Sequence, residues 1–100
     1  MGQRKKTFYE ISYTKEADKF LRKHEDVRNQ YENAIYELMF GEHPETIDVK
    51  RIKGKRNNYY RIRVGNVRII YAIIHEKIIV IRTLLAGERG DVYKKMTGLQ

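Results

Sequence analysis

The sequence predicts an α+β fold: an N-terminal strand and a two-helix hairpin packed on a mainly antiparallel, twisted sheet of four or five strands, closed by a short C-terminal helix or tail. Three observations carry it. Apolar residues between Ala17 and Leu38 recur at helical spacing, the chain from Ile47 to Leu85 breaks into β-branched and aromatic runs, and these two kinds of segment follow one another instead of alternating. A chain of 100 residues supplies one modest core, so residues 1–100 read as a single domain.

Phe8 to Tyr13 alternates with aromatic or apolar residues on both faces, which predicts a first strand packed on one side and partly covered on the other. Thr14 is placed to cap a helix. Ala17, Phe20 and Leu21 mark that first helix with Lys19, Arg22 and Lys23 on its wet side, and Val27, Tyr31, Ala34, Ile35 and Leu38 mark a second. The junction from His24 to Asp26 is short, so the helices form a hairpin that covers one sheet face. Gly41 to Thr46, with the only proline, is the helix exit and a loop. Four strands are expected: Ile47 to Ile52, Tyr59 to Val64, Val67 to Ile74 and Lys77 to Leu85. Gly65-Asn66 and His75-Glu76 are compact enough to turn hairpins, the first being the better turn signal, and Lys53 to Asn58 is a basic connection. Gly90 to Met96 suits either a short helix or an extended tail.

Charge is unevenly spread. Residues 1–49 hold 8 basic and 10 acidic side chains, whereas residues 50–100 hold 13 and 3, so the second half carries the whole excess behind the formal net charge of +8. Such a distribution favours a polyanionic partner, nucleic acid or an acidic protein segment. The absence of cysteine removes disulfides, thiolate nucleophiles and cysteine-built zinc sites. The longest apolar runs fall far short of the roughly 20 residues that span a bilayer, and the first residues lack the apolar segment of a signal peptide, so a soluble cytoplasmic protein is expected. His24, His43 and His75 are scattered without ligand companions, Gly87 to Gly90 lacks the spacing of a phosphate-binding loop, and Glu10, Glu16 and Glu37 form no paired-carboxylate site. Neither metal nor cofactor is expected.

In the run Tyr59 to Val64, Tyr60, Ile62 and Val64 point one way and Tyr59, Arg61 and Arg63 the other. Arg68 follows across the Gly65-Asn66 turn, and Arg89 leaves the end of a later strand with Tyr93 close behind. Arginine grips phosphate with a planar fork and offsets charge in a phosphoryl transition state, while tyrosine stacks on bases or carries protons. Arg61, Arg63, Arg68, Arg89 and Tyr93 therefore form a coherent candidate site if the sheet gathers them. The structural alternatives are a solvated face for Arg61 and Arg63, ion pairs of Arg68 with Glu88 or Asp91 and of Arg89 with Asp91, and a core position for Tyr93. Lys50, Arg51, Lys53, Lys55 and Arg56 suit diffuse steering of RNA or rRNA, the alternative being general solubility.

The string from Tyr60 to Tyr71, YRIRVGNVRIIY, followed by Gly87-Glu88-Arg89-Gly90-Asp91-Val92-Tyr93, resembles the RelE/ParE superfamily of toxins from bacterial and archaeal toxin–antitoxin pairs. The likeness runs from the first strand to Tyr93 and is closer to the RelE-like branch. It implies a toxin that cuts messenger RNA in the ribosomal decoding site, the 2′-hydroxyl attacking the adjacent phosphate without a metal. Arg68 would then hold the scissile phosphate, Arg89 would serve the departing 5′-oxygen, and Tyr93 would stack or carry protons. Arg61 and Arg63 stand where the RelE-like pattern has lysines, the second of them a candidate general base. A guanidinium keeps its proton, so Arg63 is a poor base, and Tyr93 or alignment by the ribosome would have to compensate. The resemblance also implies a cognate antitoxin whose acidic segment wraps the toxin, covers its basic groove or displaces the short C-terminal element. Two alternatives remain: ParE-like inhibition of DNA gyrase by protein binding, and a catalytically weak relative kept for antitoxin binding.

Overall fold

A computed structural model describes residues 8–53 and 58–98. The element order is β1 (Tyr9–Tyr13), α1 (Lys15–Leu21), α2 (Glu25–Phe40), a 3-10 turn (Pro44–Thr46), β2 (Val49–Ile52), β3 (Tyr59–Val64), β4 (Val67–His75), β5 (Ile79–Glu88) and α3 (Arg89–Met96). The five strands make one sheet in the order β1-β5-β4-β3-β2, antiparallel throughout except that β1 runs parallel to β5. The expected α+β architecture is therefore present, with all five strands in one mixed sheet.

Several boundaries differ from the sequence expectation for local reasons. Pro44 starts the 3-10 turn and the Ile47 amide closes it on the Pro44 carbonyl at 3.1 Å, so β2 begins at Val49 and not at Ile47. The β4–β5 connection is Glu76 to Ile78, not His75-Glu76, because His75 pairs with Ile79 and the Glu76 amide donates to the Ile78 carbonyl at 3.0 Å. Strand β5 passes Leu85 and reaches Glu88, since Val67 and Arg68 of β4 supply partners for Glu88 and Gly87. The segment from Gly90 to Met96 is helical within α3. Asp91 lies in the first turn and Lys94 and Lys95 in the last, which complements the helix dipole, while Val92 and Met96 fall on one side, four residues apart.

Thr14 joins the first helix to the sheet. Its hydroxyl accepts from the Ala17 amide at 3.1 Å, capping α1, and donates to the Leu84 carbonyl at 2.8 Å. Leu84 is where the register slips, since Ile70 pairs with Leu85 but Tyr71 with Thr83. The cap thus satisfies a carbonyl at a β-bulge, where ladder pairing is interrupted.

The sheet has a core on each face. Leu21, Tyr31 and Ile35 of the helices pack on Ile62, Val64, Val67, Ile69, Tyr71, Ile81 and Ala86. On the opposite face a smaller cluster joins Tyr59, Ile70 and Leu85 to Val92 of α3. Inside the larger core the Tyr31 hydroxyl lies 2.7 Å from the Thr83 hydroxyl, both side chains being fully buried. Burial pushes the Tyr31 phenol well above its ordinary pKa, so this pair stays neutral and hydrogen-bonded across the physiological range. Tyr31→Phe leaves the Thr83 hydroxyl without that partner and is expected to cost about 1–3 kcal/mol. Denaturant titration checks it, and adding Thr83→Val to the same protein should return part of the loss.

Candidate functional site

The β3–β4 hairpin sets the geometry. Gly65 sits at φ +60, while no other described residue has positive φ, so the two-residue turn carries its left-handed residue first, as a type II′ turn does. This turn fixes Arg63 directly opposite Arg68, and Arg61 two residues along faces Ile70. Cross-strand partners share a sheet face. Arg68 in turn pairs with Gly87 of β5, where an added Cβ would stand 3.3 Å from a Val92 methyl. Glycine there lets α3 approach the strand closely, and α3 begins two residues later with Arg89. Arg61, Arg63 and Arg68 accordingly share the face on which α3 lies.

That face is less open than strand alternation implies. Tyr59, expected beside the exposed arginines, is buried in the small core under α3. Arg61 is also withdrawn: its side chain is 13% exposed and its Nη1 donates to Asp48 Oδ1 at 3.1 Å. The other carboxylate oxygen of Asp48 lies 3.1 Å from Arg63 Nε, and the Arg63 amide donates to the Asp48 carbonyl at 3.0 Å. One carboxylate therefore serves two arginines. Arg63 nevertheless keeps half of its side chain exposed.

Arg68 and Arg89 are held differently. Arg68 is half-buried between its neighbours, and neither Glu88 nor Asp91 pairs with it; among the described residues it has no ion pair. Arg89 is exposed and makes no ion pair with Asp91. Its guanidinium carbon lies 6.0 Å from the centre of the Tyr93 ring, at the outer limit of a cation–π contact. Tyr93 is 42% exposed, and the core position in α3 belongs to Val92 instead. Arg89 and Tyr93 thus stand as an exposed pair on consecutive turns of one helix.

The basic residues grouped by the sequence do not all stay together. Lys50 pairs with Arg61 and shares its face, whereas Arg51 pairs with Tyr60 on the other face and donates to the Asn58 side chain at 2.6 Å. Lys53 is exposed just after β2. Lys55 and Arg56 lie outside the described residues. Asp48 is the residue of this site that sequence reasoning missed. Its alternation with Lys50 was visible, but the pairing of β2 on β3 that aims it at Arg61 and Arg63 is a property of the folded sheet.

Among the described residues no group of histidine, aspartate or glutamate is arranged to hold a metal, and no helix is long and apolar enough to cross a membrane. Residues 11–89 match the family described as the ParE toxin of type II toxin-antitoxin system, parDE. The chain belongs to this toxin family, within the RelE/ParE superfamily. The matched span holds Arg61, Arg63, Arg68 and Arg89 and ends before Tyr93. A RelB-RelE antitoxin-toxin complex from Methanococcus jannaschii contains a chain of similar structure, with a TM-score of 0.57 and 31% identity over 84% of this chain and 96% of that one. No curated protein matches the sequence. The ParE-family toxin thus pairs a RelE-like fold with an arginine face closed on one side by Asp48 and on the other by α3.

Proposed function

We propose that this toxin inhibits translation by cutting messenger RNA held in the ribosomal decoding site. The observation that carries this reading is the hairpin register that sets Arg63 against Arg68 beside the start of α3, with neither Arg68 nor Arg89 in an ion pair among the described residues. In the reaction the 2′-hydroxyl oxygen bonds to the adjacent phosphorus, its proton leaves, and the bond to the 5′-oxygen breaks with proton uptake by that oxygen. The products are a 2′,3′-cyclic phosphate and a 5′-hydroxyl. Arg68 neutralises charge growing on the non-bridging oxygens, and Arg89 meets the departing 5′-oxygen. Tyr93, next to Arg89, stacks on a base or passes a proton. Arg63 binds and does not act as base, because its guanidinium stays charged. A ribosomal target makes the cytoplasm its site of action.

A cognate antitoxin completes the proposal. The similar chain from Methanococcus jannaschii was solved in an antitoxin–toxin complex, and the net positive second half of this chain suits an acidic segment that folds on binding. The second reading, inhibition of DNA gyrase by protein binding, draws support from the ParE family match and from the occupation of Arg61 and Arg63 by Asp48.

Reverse-transcription mapping of a defined messenger on translating ribosomes separates the two. Cuts confined to the decoding site, absent from free RNA and carrying 2′,3′-cyclic phosphate ends, are expected. An intact messenger together with loss of gyrase supercoiling would reverse the order. Lys53→Ala should leave the cutting rate at saturation unchanged, weaken association, and reduce the slope of log affinity against log salt by about 1.

A further inference from the structure

We propose that Asp48 is a positioning residue, which holds Arg61 inside the fold and orients the Arg63 guanidinium for a phosphate of bound RNA. The inference rests on reading this face as a phosphate-binding surface, and it assigns Asp48 no contact with RNA. The same carboxylate does two different things to its two partners. Arg61 is 13% exposed and meets Asp48 through a terminal nitrogen, so for Arg61 the carboxylate is the counter-ion that a largely buried cation needs. Arg63 is 50% exposed and its nearest approach to Asp48 is through Nε, the inner nitrogen of the guanidinium. The contact at Nε is a charge contact at 3.1 Å that tethers the guanidinium by its inner edge and leaves the outer edge, formed by the two terminal nitrogens, open to an anion.

The backbone strengthens this arrangement. The Arg63 amide bonds to the Asp48 carbonyl at 3.0 Å, so the two residues are tied at main chain and side chain together. Directly across the hairpin stands Arg68, a like charge that would repel an unrestrained Arg63 side chain toward solvent. Asp48 offsets that repulsion and keeps two arginine forks on adjoining strands within reach of one anion. A phosphate that meets a restrained fork gains two charge-assisted hydrogen bonds without first ordering the side chain.

A double-mutant cycle tests this with binding of a short single-stranded RNA oligonucleotide, read by fluorescence anisotropy. In the wild type, Arg63→Ala is expected to weaken binding by about tenfold. In the Asp48→Asn background the same change should cost less than about twofold, because an unrestrained Arg63 contributes little beyond its diffuse charge. Asp48→Glu, which keeps the carboxylate, should restore part of the Arg63 dependence. Equal cost of Arg63→Ala in both backgrounds would overturn the proposal, as would an Asp48→Asn protein that binds more tightly with its full dependence on Arg63.

Since Asp48→Asn also deprives Arg61 of its counter-ion and threatens folding, a second measurement uses the unaltered protein. The Arg63 Nε–H signal in a nitrogen–proton NMR spectrum should be resolved from the exposed arginines without RNA, and RNA should move the terminal-nitrogen signals of Arg63 but not those of Arg61. An Arg63 signal averaged with the mobile arginines would sink the idea. Wild-type protein that binds the oligonucleotide but leaves ribosomal messenger intact refutes the nuclease reading alone, and wild-type protein that binds no oligonucleotide overturns the role given to Asp48 and leaves the nuclease reading to the ribosome assay.

Discussion

Replacing Arg68 with alanine is expected to slow cleavage of ribosome-bound messenger by about 10²–10³ while leaving the fold intact, the loss typical of removing one preorganised donor from a developing oxyanion. Both its position and its lack of partners lead to this expectation. Arg68 is fixed by β-pairing on both sides, to Arg63 and to Gly87, and it has no ion pair among the described residues. Its charge is therefore uncommitted until an anion arrives. Truncation breaks no internal ion pair and removes a like charge facing Arg63, so the melting temperature should hold or rise slightly. Arg68→Lys keeps the charge and loses the planar fork, and should recover only part of the rate. Single-turnover cutting on programmed ribosomes, measured beside thermal melts, checks all three statements. An alanine variant that cuts at the wild-type rate would remove Arg68 from the chemistry.

The extent to which this arrangement could be read from the chain varies with the distance over which each feature is decided. The hairpin register was legible because Gly65-Asn66 is a local signal, and two residues of turn suffice to oppose Arg63 and Arg68. Helix spacing placed Leu21, Tyr31 and Ile35 in the core for the same reason, since each lies on a repeating apolar face. The His75-Glu76 turn was misplaced because neither residue demands a left-handed backbone, and the pairing of His75 with Ile79 decides the loop instead. A type II′ turn announces itself; a loop set by strand pairing does not.

Features that join distant segments were not legible. Asp48 meets Arg61 and Arg63 only through the β2–β3 register, across a polar connection whose length carries no register signal. Tyr59 alternates with Arg61 and Arg63 and so looked solvent-facing, yet it is buried because α3 returns over that end of the face. Gly87 was part of a recognisable motif, but its role in admitting Val92 depends on the helix arriving there. In each case the sequence holds the residue and the tertiary fold supplies its neighbour. The family resemblance bridged some of this distance for Arg68 and Arg89, and it offered nothing for Asp48.

Val92→Asp is expected to reduce cutting to the level of Arg89→Ala, a fall of about 10²–10³, while the main core continues to melt nearly as in the wild type. Val92 is the one fully buried residue of α3, seated with Tyr59, Ile70 and Leu85. A carboxylate there meets apolar side chains, and lifting the short helix off the sheet costs less than burying an unpaired charge. α3 is tied also by the Lys95–Glu16 ion pair, which is exposed and screened by salt. Lys95 hydrogen-bonds the Glu16 carboxylate and holds its pKa below the usual range, so this tie is present at neutral pH and is lost as pH falls through that lowered value. It cannot retain the helix by itself. Once α3 lifts, Arg89 and Tyr93 lose their fixed relation to Arg68, although neither has been altered. The larger core lies on the opposite sheet face and does not include Val92, so its cooperative unfolding should be nearly untouched. Trypsin cleavage after Lys94 and Lys95 should accelerate in the variant while the remaining chain stays protected. If Val92→Asp instead cuts normally, α3 has no part in the chemistry; if the whole protein unfolds, the two faces of the sheet are one cooperative unit and α3 does not lift independently of the larger core.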